Sequence, residues 1–141
     1  MQEIDDVLHG LLAETGASRV TLRQDLPGDY RFPVTHEALA DEAGSLMHER
    51  TVDLRTQPVA IEVGRGRQVV QDDSAAASDD PAFHHMRETY GGLAAQIVTP
   101  ILVDGSLSAI VSLHVLGEPR AWSDDDAATC RHAAERVRSL L

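Results

Sequence analysis

"AAQIVTPILVDGSLSAIVSLHVL", Ala94 to Leu116, decides how this chain is read. Two long apolar runs flank Asp104–Gly105, and Asp-Gly between such runs is among the strongest hairpin signals a sequence carries. A two-residue turn there pairs Val103 with Ser106 and sets a register. In that register one face holds Gln96, Val98, Pro100 and Leu102 beside Leu107, Ala109, Val111, Leu113 and Val115. The other holds Ala95, Ile97, Thr99, Ile101 and Val103 beside Ser106, Ser108, Ile110, Ser112 and His114. The first face is almost wholly apolar and is expected to pack on helices. The second is mixed. It reads either as the wall of a site for a small polar ligand or as a partly solvated surface.

Helices are expected at both ends. Ile4, Val7, Leu8, Leu11 and Leu12 recur at helical spacing before Gly16, a residue suited to a helix C-terminus. At the far end Ser123 and Asp126 form a capping-box pattern, followed by an apolar stripe of Ala127, Cys130, Ala134, Val137 and Leu141. Between them, "SRVTLRQ" alternates as a strand, and Pro27–Gly28 marks a turn. "RFPVT" reads as a short strand with Pro33 on an edge. "HEALADEAGSLMHE" reads as a helix with Leu39, Ala43, Leu46 and Met47 on one side. "TQPVAIEVGRG" is open: Val59, Ile61 and Val63 alternate as in a strand, while Thr56 as N-cap, Pro58 and Gly64 suit a short helix. "RQVVQ" reads as a strand ending at Asp72 and Asp73.

Composition excludes several function classes. The chain has 141 residues, the size of one domain, here taken as 1–141. Its formal net charge is −11, against nucleic acid or an anionic membrane surface as partner. All 12 basic residues are Arg, so no Schiff-base or phosphate-loop lysine is available. The lone Cys130 cannot form an internal disulfide or a thiolate zinc site. No apolar run approaches the roughly 20 residues that span a bilayer, and no signal-peptide pattern is present, so a cytoplasmic protein is expected.

The order of elements resembles a GAF domain, the small-molecule-sensing fold of cyclic-nucleotide phosphodiesterases, phytochromes and bacterial sensor proteins. Three stretches carry the resemblance, which extends over roughly residues 2–141: "ASRVTLR", "GRGRQVVQDD" and "IVTPILVDGSLSAIVSLHVLGEPRAWSDDD". It implies an α+β fold with a central antiparallel sheet of five or six strands. The terminal helices would lie on one face, and a pocket with short helices and loops on the other. It implies a helix for "TQPVAIEVGR". It also implies a stand-alone sensory or regulatory module, without enzymatic activity, that signals through its dimer or a regulatory protein partner. A module that binds no ligand and serves dimerisation or protein interaction is the alternative. Covalent bilin attachment needs a cysteine near the pocket, and Cys130 sits in the closing helix. The family's free methionine sulfoxide reductase chemistry needs several cysteines. The family's cyclic-nucleotide signature is rich in Asn and Lys, and the chain has neither.

The candidate site residues lie in and after "SDDPAFHHMRETYG", Ser78 to Gly91, of which Asp79 to Gly91 reads as a lid-like loop over the mixed sheet face. Arg87 offers a fork for a planar anion, and Tyr90 a hydroxyl on an apolar ring. Thr99, Ser112 and His114 would converge with them from the mixed sheet face. Arg87 paired with Asp79 or Asp80 at the surface is the plainer alternative. His84 and His85 resemble the His-rich stretch that carries the proximal ligand of haem-binding members, which makes haem the possible cofactor of a third reading. Exposed loop histidines are the alternative. Nothing in the spacing of Asp72, Asp73, Asp79 and Asp80 demands a metal. No nucleophile motif or catalytic constellation is present. A homodimer through residues 3–15 and 124–141 is expected from the terminal apolar stripes, with Val137 in its seam.

Overall fold

The computed structural model describes residues 3–29, 31–49, 51–52, 54 and 57–141. The elements run α1 (Ile4–Thr15), β1 (Arg19–Gln24), β2 (Val34–Leu39), α2 (Pro58–Gly64), β3 (Val69–Gln71), α3 (Pro81–Thr89), β4 (Leu93–Val103), β5 (Ser106–Leu116) and α4 (Asp124–Leu140). The fold is α+β, as the resemblance implied: five strands form one antiparallel sheet in the order β2-β1-β5-β4-β3.

The terminal helices form as their patterns dictate. Gly16 adopts φ 67° and donates its N–H to the Leu12 carbonyl, a left-handed stop that a residue with a Cβ resists. The Asp126 N–H donates to Ser123 Oγ and the Ser123 N–H to Asp126 Oδ2, each at 3.0 Å, completing the expected capping box. Both helices lie on one face of the sheet. Val7, Leu8 and Leu11 of α1 and Cys130, Ala133, Ala134 and Val137 of α4 share one core with Val20, Leu22, Ile97, Ile101, Val111 and Leu113. Val137 is fully buried there. The stripe expected to form a dimer seam is therefore the one that binds α4 to its own sheet.

Three local readings change. The hairpin closes through Val103 and Ser106 as expected, but the pairing shifts at Ile101, which opposes Ala109 in place of Ser108. Ser108 is the extra residue of a bulge, and one extra residue inverts every subsequent cross-strand partner. Ile97 thus faces Leu113, while Val98 faces Ser112 and Gln96 faces His114. The true faces are Ala95, Ile97, Thr99, Ile101, Ala109, Val111, Leu113 and Val115 toward α1 and α4, and Gln96, Val98, Pro100, Ile110, Ser112 and His114 away from them.

Next, "RFPVT" and the start of "HEALADEAGSLMHE" are one strand. β2 begins at Val34 and continues through His36, Glu37, Ala38 and Leu39, paired along β1. These are helix-favouring residues, but Ala38 fills the core beside Val20 and Leu22, so tertiary packing overrides propensity. No helix follows: Glu37 instead accepts hydrogen bonds from the Ser45 hydroxyl and the Leu46 N–H, holding the chain in a turn.

Finally, residues 81–89 of the supposed loop are helical. Asp80 accepts a hydrogen bond from the Ala82 N–H at 2.9 Å and Pro81 fills the first turn. Phe83, Met86 and Tyr90 are all buried, in a second cluster with Val34, Leu46, Val52 and Leu93. The ambiguous 57–64 segment is also a helix, entered from Gln57; Thr56, the residue read as its cap, lies outside the described residues. β3 covers β4 only from Gln96 to Val98. Past that point Pro100 has no N–H to offer, and Arg138 Nε donates to the Leu102 carbonyl at 3.0 Å. No described helix is long and apolar enough to cross a membrane.

Candidate functional site

The face of the sheet away from α1 and α4 is polar at its centre, and this follows from strand alternation. In β1, Val20 and Leu22 point to the main core, so Arg19, Thr21 and Arg23 must point the other way. β1 lies between β2 and β5, so these polar side chains are buried whatever their chemistry. Opposite them in β5 stand His114, Ser112 and Ile110.

α2 and α3 roof this face. Beneath them lies a cavity of about 30 Å³ lined by Arg23, Gln57, Tyr90, Gln96, Ser112 and His114 and by the apolar Leu54, Val59, Ala60, Val63, Met86, Val98 and Ile110. That is room for a water or two, or for a group of carboxylate size. No acidic side chain is among these lining residues.

Two buried guanidinium groups organise the polar side. Arg19 donates from Nε to His114 Nδ1 at 3.0 Å, from Nη1 to the Gly44 carbonyl at 2.9 Å and from Nη2 to the Tyr90 carbonyl at 2.8 Å. Arg23 donates to the Phe32 carbonyl at 2.9 Å and to Tyr90 Oη at 2.6 Å. Neither has a carboxylate within ion-pair distance among the described residues. Burial pushes the Arg19 guanidinium down to about 10, so it stays charged at neutral pH. The Tyr90 ring stacks on the His114 ring at 5.6 Å and lies within 5.8 Å of both guanidinium carbons.

The protonation states follow from these bonds. Arg Nε can only donate, so His114 Nδ1 accepts and its proton sits on Nε2. Burial first, and then the Arg19 and Arg23 charges, hold His114 well below the usual histidine range. It is a neutral donor whose Nε2–H has no protein partner among the described residues. Because Tyr90 Oη accepts from Arg23, its own O–H remains free to donate; burial raises this phenol above its ordinary value and keeps it protonated. Thr21 Oγ1 and Gln57 Oε1 are buried without a hydrogen bond.

Of the residues picked out in the sequence, Tyr90, Ser112 and His114 come together here. Thr99 does not: the bulge places it on the opposite face, where it accepts a hydrogen bond from Gln68 Nε2 at 3.0 Å, a group that also bonds the Ala127 carbonyl of α4. Arg87 does not line the cavity either. It donates to the Leu93 carbonyl at 2.8 Å and meets His84 Nδ1 at 3.2 Å, tying the end of α3 to the start of β4, and among the described residues it pairs with no acid. The other nitrogen of His84, Nε2, donates to the Ser78 carbonyl at 2.7 Å, so both its ring nitrogens are engaged. His85 is exposed. Among the described residues no three His, Cys, Asp or Glu side chains gather as a metal site. Arg19, Arg23 and Gln57 were missed. The signal for the two arginines was present: the same alternation that buries Val20 and Leu22 buries them.

A family model described as GAF domain matches residues 2–141. The chain belongs to the GAF family. Solved GAF structures share its fold at low identity. The phycoerythrobilin-bound GAF domain of a cyanobacterial phytochrome superposes with TM-score 0.77 at 17% identity, covering 98% of this chain and 84% of that one. A GAF domain from Synechocystis in its photoproduct state gives 0.76 at 14%, covering 96% and 88%. The GAF domain of an Acinetobacter phosphoenolpyruvate-protein phosphotransferase gives 0.74 at 10%, covering 97% and 78%. No curated protein sequence matches the chain.

Proposed function

We propose that this GAF domain is a sensory module that binds a small anion beneath α2 and α3, through Arg23, Tyr90, Ser112 and His114, and passes occupancy on through a second copy or a partner protein. One observation carries the reading. A chain with 23 acidic and 12 basic residues places no acid among the described residues lining its cavity, and the charge it does place there is Arg23. Among the described residues Arg23 makes no ion pair, and the carboxylate that acts on it, Glu49, does so from outside the lining; beside free N–H and O–H donors, that cation suits an anion that enters the cavity itself. The bilin carried by the phytochrome neighbour belongs to that protein. Here the lone Cys130 is buried on the sheet-facing side of α4, across the sheet from the cavity, and the enclosed space is far below tetrapyrrole size.

The second reading, an interaction module without a ligand, draws on Arg19 and Arg23 hydrogen-bonding the carbonyls of Gly44, Tyr90 and Phe32, a purely structural use. Thermal-shift screening of acetate, nitrate, formate and amino acids separates the two. A ligand at a hundred times its dissociation constant stabilises by about 2.7 kcal/mol. That shift is expected in the wild type and lost in Arg23→Gln. No shift with any anion supports the interaction module. A Soret band after expression with haem precursor, lost in His84→Ala, would move the site to α3.

A further inference from the structure

Two spaces beneath α2 meet at a shared wall that includes Ile110. Leu54, Ala60 and Ile110, which line the inner cavity, also line an outer groove of about 260 Å³ together with Phe32, Ile61 and Leu107. All six of these side chains are apolar. Ile61 leaves 54% of its surface exposed, an aliphatic side chain on α2 held at the groove rather than in a core. Phe32 lines the outer groove and, through its backbone carbonyl, meets Arg23 of the inner cavity. It adopts φ 51°, a left-handed conformation rare for a bulky residue, and in doing so lays its ring in the outer cluster while its carbonyl receives Arg23.

We propose that the ligand is an alkyl monocarboxylate. Its carboxylate lies beneath α2 at Arg23, Tyr90 and His114, and its tail runs over Ile110, between Leu54 and Ala60, into the groove of Phe32, Ile61 and Leu107. This rests on the reading of the cavity as an anion site and adds the chemistry of the rest of the molecule. The inner space fits a carboxylate and little more, so anything larger has to leave along the shared wall. Among the described residues, that wall and the groove offer no hydrogen-bonding side chain, so what leaves is hydrocarbon. Among the described lining residues one guanidinium, that of Arg23, balances one negative charge; a dianion would bury a second charge without a counterpart there.

The test is isothermal titration of the intact protein with acetate, butanoate, hexanoate and octanoate, and with hexanol and octanol as uncharged matches. Burying one methylene strengthens binding about fourfold. Affinity is expected to rise by about that factor per methylene until the groove is filled, with each alcohol at least about tenfold weaker than its acid. Ile61→Gln and Leu107→Thr change half-exposed or partly buried positions and keep the local propensity for helix and strand. Both are expected to flatten the chain-length dependence and leave acetate binding intact, with circular dichroism confirming the fold. Acetate binding with no gain along the series, or a slope that survives both substitutions, overturns the tail assignment alone. Octanol binding as tightly as octanoate, or no binding by any carboxylate, overturns the anion site and the tail assignment with it.

Discussion

Replacing Arg19 with methionine asks whether a buried cation that makes no direct ion pair among the described residues holds this fold together. The substitution keeps an unbranched apolar stem of similar length and deletes the three donors to His114 Nδ1, Gly44 O and Tyr90 O. Each buried acceptor left without a donor costs about 2 kcal/mol, so about 6 kcal/mol is at stake. Against this, removing the guanidinium relieves its own desolvation. Its fall to about 10, where burial outweighs the opposing fields of Tyr90 and Glu37, puts the net relief at about 3 kcal/mol. The balance is a loss of about 3 kcal/mol, and a melting temperature lower by about 10 °C in a domain of this size. Guanidinium chloride titration monitored by circular dichroism measures it, at a pH near 7.5 where His114 is neutral in both states. Arg19→Lys should not rescue, because one ammonium cannot reach three acceptors in three directions. An Arg19→Met protein as stable as the wild type would refute the reasoning, since the three bonds would then contribute no more than the desolvation they offset.

Other expectations follow from the same core. Because the folded state holds His114 neutral while the unfolded chain protonates near its ordinary value, stability should fall as pH drops below about 6.5, by up to about 1.4 kcal/mol per pH unit; His114→Gln should lessen that slope in urea titrations between pH 7.5 and 5. Cys130, its thiol pushed up to about 12 by burial and then by Asp126, should resist Ellman's reagent in the native protein and react at once in 6 M guanidinium; rapid native labelling would contradict its packing. Val137→Glu should unfold the domain at a temperature independent of concentration, because the carboxylate enters the core; a folded monomer made from a wild-type dimer would restore the seam.

The sequence was most legible where local chemistry and tertiary structure agree. Gly16, the Ser123–Asp126 pair and Asp104–Gly105 each announce a helix end, a helix start and a turn, and each forms as read. It was least legible where one residue changes a parity. Ser108 carries no mark of a bulge, yet it moves Thr99 out of the site and brings Val98 and Gln96 into it. β2 was hidden because His36, Glu37, Ala38 and Leu39 favour a helix in isolation and become a strand only by pairing with β1. The start of α3 was readable from Asp80–Pro81 and the spacing of Phe83, Met86 and Tyr90, but the adjacent histidines drew attention to chemistry ahead of periodicity. Arg23 was passed over for Arg87 because a charged residue in a strand reads as solvent-facing until the strand is known to be central.

The free stretch of β4 beyond Val98 bears on how copies of this domain behave when crowded. A bare strand edge is a template on which another chain can add in register, the first step toward cross-β assembly. Here the template is interrupted twice within three residues: Pro100 presents no N–H, and the Leu102 carbonyl already holds Arg138. An incoming strand would find neither the donor nor the acceptor it needs at those positions. The last turns of α4 therefore act as a guard against runaway strand addition along this edge, and Arg138→Ala should show itself as faster thioflavin-positive aggregation at high protein concentration with little change in melting temperature.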